Sequence, residues 1–596
     1  MAGKIPARGE MDGAYLWDIA RIYPEVETWE ADFARIDALV EPLAAMKKSL
    51  RDPERLLAAL ECEEALSRLL DRLYVYAHLQ EDQDTSDSDS QGRMARIRAK
   101  LTDVQGRLAW MTPEILSNRK RDLQQWAKSE AFSAFRYPLQ KLIRRKAHTL
   151  SEKEETLLSK ASELFASPAR TYGYLTNADL RFPEVRDEKG EESELSDGRY
   201  VQFLLSRDRR VRKDAFSAMY DTYGGIKNTV ASTLSSTVKA HNYNARIREF
   251  GSAVEASLFS DQISEALYST LIETVRRELP LYFRYLALRA RQLGLKKLDM
   301  YDLYVPLVPK IEVQVPYEQA KEWVFEACAP LGGDYLDVLR TAFTDGWIDV
   351  YENRGKRSGA YSSGCYETMP YVLLNYQGTL NDVFTLAHEL GHSMHSWLAN
   401  HHQPSQTAGY PIFIAEIAST LNEELLLRHL LKQTEDPAFR AYLLNHYCDS
   451  FKGTVYRQTM FAEFERVIHV MDAEGEPLTH ETLSEAYAGI NRDYFGVQVE
   501  ADPRIALEWA RIPHFYYNFY VYKYATSFCA SQIFADRVLE SQDGREQYLD
   551  LLRAGGSDDP LTLIRTAGVD LTDPGTMEGA FSLFGKVLTD LEDSIT

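Results

Sequence analysis

Apolar residues recur every three or four positions along most of this chain, which restricts it to an architecture of packed helices. Asp52-Pro53 supplies an N-cap and a first-turn proline, and Leu56, Leu57, Leu60, Leu66, Leu69, Leu70, Leu73 and Ala77 then follow the helical period. Ser151 and Glu154 form a capping box ahead of Leu157 and Leu158. Ile263, Leu267, Leu271, Val275 and Leu279 make an apolar stripe that stops at Pro280. Three stretches interrupt this texture. The turn residues 187–190 and 196–198 lead into Tyr200-Val201-Gln202-Phe203-Leu204, which predicts a loop or short hairpin with an extended run. Pro306, Pro309 and Pro316 around Ile311-Glu312-Val313-Gln314-Val315 predict extended chain. The Gly/Ser-rich residues 355–366, followed by Pro370-Tyr371-Val372-Leu373-Leu374-Asn375-Tyr376, predict a loop running into a strand. The expected fold class is mostly α with a small sheet.

With 596 residues the chain exceeds what one core usually organises, so it splits or packs in several layers. Its 45% hydrophobic and 26% charged residues are those of a soluble globular protein. No apolar run approaches the roughly 18 residues needed to span a bilayer. The segment Met1-Ala2-Gly3-Lys4-Ile5-Pro6-Ala7-Arg8-Gly9 has basic residues but no apolar stretch behind them, so a cytoplasmic location is expected. Cys62, Cys328, Cys365, Cys448 and Cys529 are widely spaced and odd in number, which argues for buried thiols over disulfides or a thiolate metal site. A formal net charge of -21 repels polyanions, excluding nucleic acid and anionic membrane as natural partners; its plain role is solubility.

Five of the thirteen histidines fall between His388 and His402, and two of them frame His388-Glu389-Leu390-Gly391-His392. Histidines at i and i+4 lie one above the other on a helix face, so both imidazoles reach one zinc ion while the intervening glutamate addresses a bound water. Thr379 and Asp382 make a capping box upstream, and Val383, Phe384, Leu386, Ala387 and Leu390 give the helix faces to bury. A catalytic zinc takes three protein ligands and keeps one position open. Glu416, inside the apolar helix Phe413-Ile414-Ala415-Glu416-Ile417-Ala418-Ser419, is the leading third ligand, with Glu423 or Glu424 as alternatives. His395, His401 and His402 read as supporting or surface groups.

The block 384–395, the Glu416-x-x-Ser419 helix and Ile512-Pro513-His514-Phe515-Tyr516-Tyr517-Asn518-Phe519-Tyr520-Val521-Tyr522-Lys523-Tyr524 resemble the oligoendopeptidase F group of thimet-oligopeptidase-like zinc peptidases. Weaker similarity runs from Tyr15-Leu16-Trp17-Asp18 to Gly568-Val569-Asp570. The resemblance implies His388, His392 and Glu416 as ligands of one Zn2+ per chain and Glu389 as general base. It implies a two-lobed helical body around a central channel for oligopeptides, with a small sheet beside the metal. The regions it implies are a helical 1–110, a helical 111–200 with the loop or hairpin, and a catalytic 201–596.

In that chemistry zinc acidifies a water, Glu389 takes its proton and passes it to the leaving amine, and hydrogen-bond donors meet the developing oxyanion. On one continuous helix His514, Tyr517 and Tyr524 would share a face and supply those donors, with Tyr520 beside them. Gly359, Tyr361 and Gly364 belong to a loop and strand whose edge could pair with an extended peptide backbone. The expected activity is endopeptidase hydrolysis of short unstructured peptides. A peptidyl-dipeptidase or carboxypeptidase on the same scaffold would need a cationic clamp for the substrate terminus; a non-catalytic zinc- or peptide-binding protein would have no use for Glu389.

Overall fold

Asp52 shows how the helical pattern is realised. Its carboxylate accepts from the Glu54 and Arg55 backbone N–H groups at 2.9 and 3.1 Å, starting a helix over Pro53–Gln83. Leu56, Leu60, Leu66, Leu69, Leu70, Leu73 and Ala77 bury against Trp29, Ile36, Val40 and Leu43 of the Val26–Ala45 helix, while Leu57 stays only partly buried. This computed structural model describes residues 5–308 and 313–595, and its chain divides into two compact units. The first comprises Met1–Thr149, Glu312–Lys432 and Phe534–Val569; the second comprises Leu150–Ile311, Gln433–Ile533 and Asp570–Thr596.

In the first unit the Pro53–Gln83 helix carries a second apolar cluster, in which Val75 and Leu79 join Trp17, Tyr371 and Leu373. That contact seats a three-stranded sheet. Tyr371–Leu373 lies in the middle, parallel to Ile348–Asp349 and antiparallel to the edge strand Tyr361–Ser363. The Gly/Ser segment before the edge strand is pinned by buried charge. Lys356 Nζ reaches the Asp349 carboxylate at 2.7 Å and the Tyr351 carbonyl at 2.7 Å. Asp82 receives the Arg357 guanidinium and, at 2.8 Å, the Tyr361 hydroxyl. Gly359 turns the chain at φ 90°, a left-handed conformation open to glycine.

The second unit is built on the 39-residue helix Arg209–Ile247, against which the Glu152–Tyr174 and Arg457–Ala473 helices pack. The Ser151–Glu154 capping box is present. The stripe Leu267, Leu271 and Val275 is buried; its helix ends at Arg277, and Pro280 sits in the first turn of the next one. A short hairpin pairs Glu184–Arg186 with Glu192–Glu194. The run after it is not extended. Ser196 Oγ accepts from the Arg199 N–H at 3.2 Å and starts a helix over Asp197–Leu204, which buries Tyr200, Phe203 and Leu204 at offsets of three and four. Residues that read as a turn are a helix N-cap. Of the proline-flanked stretch, Pro309, Ile311 and Glu312 lie outside the described residues, and 313–316 have no regular secondary structure. Cys328, Cys448 and Cys529 are buried free thiols, Cys62 and Cys365 half-buried ones. Among the described residues no helix is long and apolar enough to cross a membrane.

Candidate active site

The helix Leu380–His402 begins at the Thr379–Asp382 capping box and presents His388 and His392 one turn apart, ring centroids 4.8 Å from each other. The helix Ile412–Gln433 lies against it so closely that a Cβ on Gly391 would come within 2.5 Å of the Ala418 carbonyl oxygen and 2.6 Å of the Ser419 Cα. Glycine at the fourth position of the motif is what permits this approach. Glu416 Oε2 then stands 3.5 Å from His388 Nε2 and 3.7 Å from His392 Nε2, and the three ligand atoms lie within 4.8 Å of one another. Two donors bound tetrahedrally to one zinc would be about 3.4 Å apart. The donor set of two imidazoles and one carboxylate therefore fits such an ion.

The surrounding groups orient these donors. Glu423, two turns beyond Glu416, accepts from His388 Nδ1 at 2.6 Å, which turns Nε2 to the Glu416 side. Burial works against charge on His388, but the hydrogen bond and charge of Glu423 outweigh it and hold the ring at about 9. Burial, with help from His388, pulls His392 down to about 3, the Ala415 carbonyl opposing the shift. Ser419 Oγ donates to Glu416 Oε2 at 3.1 Å. Glu424 pairs with Arg428 at 2.6 Å.

Glu389 faces the sheet. Burial pushes its carboxyl up to about 7, with Glu416 and Glu423 adding to the rise while His388 and the Ser362 backbone N–H restrain it. Ser362 belongs to the edge strand, and its Oγ meets Ser393 Oγ at 2.9 Å. The edge strand thus passes directly beside Glu389. Tyr361 contributes to the framework, its hydroxyl held by Asp82 and its ring stacked on His78 at 5.4 Å. Gly364 packs against residues 368–370, with Met369 O at 3.3 Å from a Cβ position. His395 is buried with its ring stacked on Tyr410 at 3.6 Å, and Tyr410 in turn bonds Ser396 at 2.8 Å. His401 and His402 donate to the Trp397 and Leu398 carbonyls at 2.7 and 2.8 Å, closing the last turn of the helix.

In the second unit His514, Tyr517, Tyr520 and Tyr524 form one ring cluster, with His514 centred 5.6 Å from Tyr517 and 6.2 Å from Tyr524, and Tyr520 5.3 Å from Tyr524. They do not lie on one helix, as the spacing alone suggested. Pro513–Tyr516 is a 3-10 turn, Asn518 and Phe519 adopt left-handed φ of 52° and 59°, and the α-helix starts at Tyr522. The turn is held from outside the segment. Fully buried Glu465 accepts the Phe519 N–H at 2.6 Å, and Ser257 donates to the Asn518 carbonyl at 2.6 Å. Burial lowers the His514 pKa. Sequence reasoning missed Glu465 and Ser257 because nothing near them in the chain marks them. Glu423 had a signal: it repeats the face of Glu416 seven residues on.

Residues 202–583 match the model of peptidase family M3, and residues 114–182 match that of oligopeptidase F. The oligopeptidase PepF of Bacillus subtilis is 43% identical over 595 residues, covering 99% of this chain and 89% of the relative. The group B oligopeptidase PepB of Streptococcus agalactiae is 42% identical over 591 residues, 99% of this chain and 98% of the relative. The crystal structure of an oligoendopeptidase-F from Enterococcus faecium superposes with a TM-score of 0.75 at 39% identity, covering 96% of this chain and 99% of that one. The paired imidazoles, the carboxylate beside them and these likenesses agree, and the chain belongs to peptidase family M3, as a metallo-oligopeptidase of the oligoendopeptidase F type.

Proposed function

We propose that this chain is a zinc-dependent oligoendopeptidase that hydrolyses internal bonds of short unstructured peptides, with His388, His392 and Glu416 as metal ligands and Glu389 as general base. The observation that carries the reading is the placement of Glu389 one residue from a ligand histidine, buried, and flanked by an edge strand. Zinc in that group supplies Lewis-acid polarisation and an acidified water. Glu389 takes a proton from the attacking water and returns it to the leaving amine. A peptide laid along the open edge of Tyr361–Ser363 pairs through its backbone, which favours extended substrates with little regard to side chain. Gly359 and Gly364 shape this edge, while Tyr361 supports it from behind. His514, Tyr517 and Tyr524 supply hydrogen-bond donors to the oxyanion, and Tyr520 packs the substrate side of the cluster. The names of the relatives, oligopeptidase and oligoendopeptidase, support this substrate class.

The test separates holding metal from doing chemistry. Glu389→Gln is to retain about one zinc per chain while turnover of a quenched fluorescent peptide falls by several orders of magnitude. Glu416→Ala is to lose zinc and activity together. His514→Ala and Tyr524→Phe are to keep zinc and lower kcat by about ten- to a thousandfold. Near-normal turnover by Glu389→Gln would refute the mechanism. Peptides blocked at both ends remain substrates of an endopeptidase; strict need for a free carboxyl terminus would favour the dipeptidase reading.

A further inference from the structure

The second unit contains a cavity of about 620 Å³ that shares His514 and Tyr517 with the ring cluster. Its walls are largely aromatic, including Tyr172, Tyr200 and Phe461, and two guanidiniums, Arg457 and Arg511, face it. The two are not equivalent. Arg457 donates to Glu508 Oε1 at 2.6 Å, and Tyr487 donates to the other oxygen of that carboxylate. Arg511 is held only by long ion pairs. Its side chain is 14% exposed, yet its nearest acids, Asp197 at 3.7 Å and Glu508 at 3.8 Å, are beyond hydrogen-bond reach. Its Nε is buried without a hydrogen-bond partner, and its side chain stands no closer than 3.7 Å to an acid. Asp197 already accepts from Tyr223 at 2.9 Å.

An arginine with this much unused donor capacity is costly to bury without an acceptor. The Arg511 guanidinium is held over the Tyr200 ring, 4.9 Å from its centroid. This leaves the planar fork to receive a bidentate acceptor, and a carboxylate matches that geometry better than any other group a peptide carries. The cavity volume suits a side chain or chain end rather than a whole oligopeptide.

We propose that this cavity is a carboxylate-binding subsite of the peptide substrate, anchored by Arg511, with the aromatic walls taking the aliphatic stem. The inference rests on the peptidase reading, since it is the sharing of His514 and Tyr517 that makes the occupant part of the same substrate. The carboxylate is either the peptide's C-terminus or the side chain of an Asp or Glu, and both present the same chemistry to Arg511.

The test uses the full-length zinc enzyme and matched quenched peptides that differ only in acid against amide: Asp against Asn or Glu against Gln at each position flanking the cut, and free against amidated C-terminus. One acid member is to exceed its amide in kcat/KM by about tenfold or more. Loss of the preference on amidation identifies the chain end; loss on a single Asp→Asn or Glu→Gln change identifies the side chain. In Arg511→Met the ratio is to fall to about twofold or less, and in Arg511→Lys part of it is to return. Asp197→Asn, which removes a competing negative charge, is to increase the ratio, and it decides the matter where Arg511→Met does not fold. Equal rates for every acid–amide pair in the wild type would overturn the subsite, as would a ratio unchanged in Arg511→Met, one lowered by Asp197→Asn, or a preference for Lys or Arg at that position. Failure of the peptidase reading is distinct: no peptide of the series would be cut at all.

Discussion

The His388–Glu423 region and the His514–Tyr524 region each gather several chemically active side chains, but they hold them by different physics. In the first, every spacing is local. His388 and His392 stand one turn apart on one helix, Glu416 and Glu423 two turns apart on the next, and Gly391 lets the two helices touch. In the second, two consecutive non-glycine residues, Asn518 and Phe519, sit at left-handed φ, a conformation that persists only when the surroundings over-determine it. The restraint comes from Glu465, 54 residues away, and Ser257, 261 residues away. Regular helices thus set distances between candidate metal donors, whereas a bent backbone tied down by buried polar contacts orients a histidine and tyrosines.

The comparison is broken most directly at Gly391. A methyl there has no room, with backbone atoms of Ala418 and Ser419 at 2.5–2.8 Å from it, so Gly391→Ala must push the two helices apart. Donors displaced by about 1 Å cost roughly a hundredfold in rate, and the expected outcome is zinc loss with a fall in turnover of at least that size. Gly489→Ala, in a helix of the second unit with nothing within 4 Å of the added atom, is the control and should retain both. Full zinc content in Gly391→Ala would mean that the metal side is as adaptable as a loop.

Glu423 sharpens the same side. Its contact with His388 Nδ1 orients a donor without adding one, so Glu423→Ala should weaken zinc binding by about ten- to a hundredfold in a chelator titration, well short of the loss in Glu416→Ala. Equal losses in the two variants would make Glu423 a donor in its own right.

How much of this was legible follows from the range of the contacts. The caps at Asp52, Ser151 and Thr379, the buried leucines and the paired histidines all depend on residues within a few positions of each other, and the sequence displays them. The metal-side glutamates recur at seven residues, so their common face was readable too. The two-residue strand Ile348–Asp349 left no periodicity to detect, and Ser196 capped a helix where a strand was expected. The aromatic spacing of the 514–524 segment permits one helix. What bends it is a carboxylate on a distant helix, and propensity has no access to that. The loose guanidinium of Arg511 is illegible for the same reason, since its neighbours Asp197 and Tyr200 come from the far end of the unit's sequence.

The smallest expected effect tests the second region through Glu465 itself. Burial pushes this carboxyl up to about 8, whereas in the unfolded chain it ionises near its ordinary value of about 4.3. Between those two pH values the folded protein keeps a proton that the unfolded chain has released, so this group's stabilising contribution is complete below pH of about 4.3 and is lost as pH rises towards about 8. Its neighbours do not mask the trend. Burial holds His469 down at about 4 and His241 down at about 3, and it raises the Tyr268 phenol far above its usual range. Glu465→Gln keeps a carbonyl to accept the Phe519 N–H but cannot titrate. The Tm of the wild type relative to this variant should therefore be highest near pH 5 and decline by about 2 °C or more towards pH 9. Glu465→Ala, which leaves the Phe519 N–H without its acceptor, should lower kcat by roughly tenfold at unchanged zinc content, because the turn that aims His514 and Tyr517 loses its anchor. A Tm difference that stays flat across the range would show a carboxylate ionised throughout. Unchanged kcat in Glu465→Ala would return the bend to the chain's own preferences, and the contrast between the two regions would go with it.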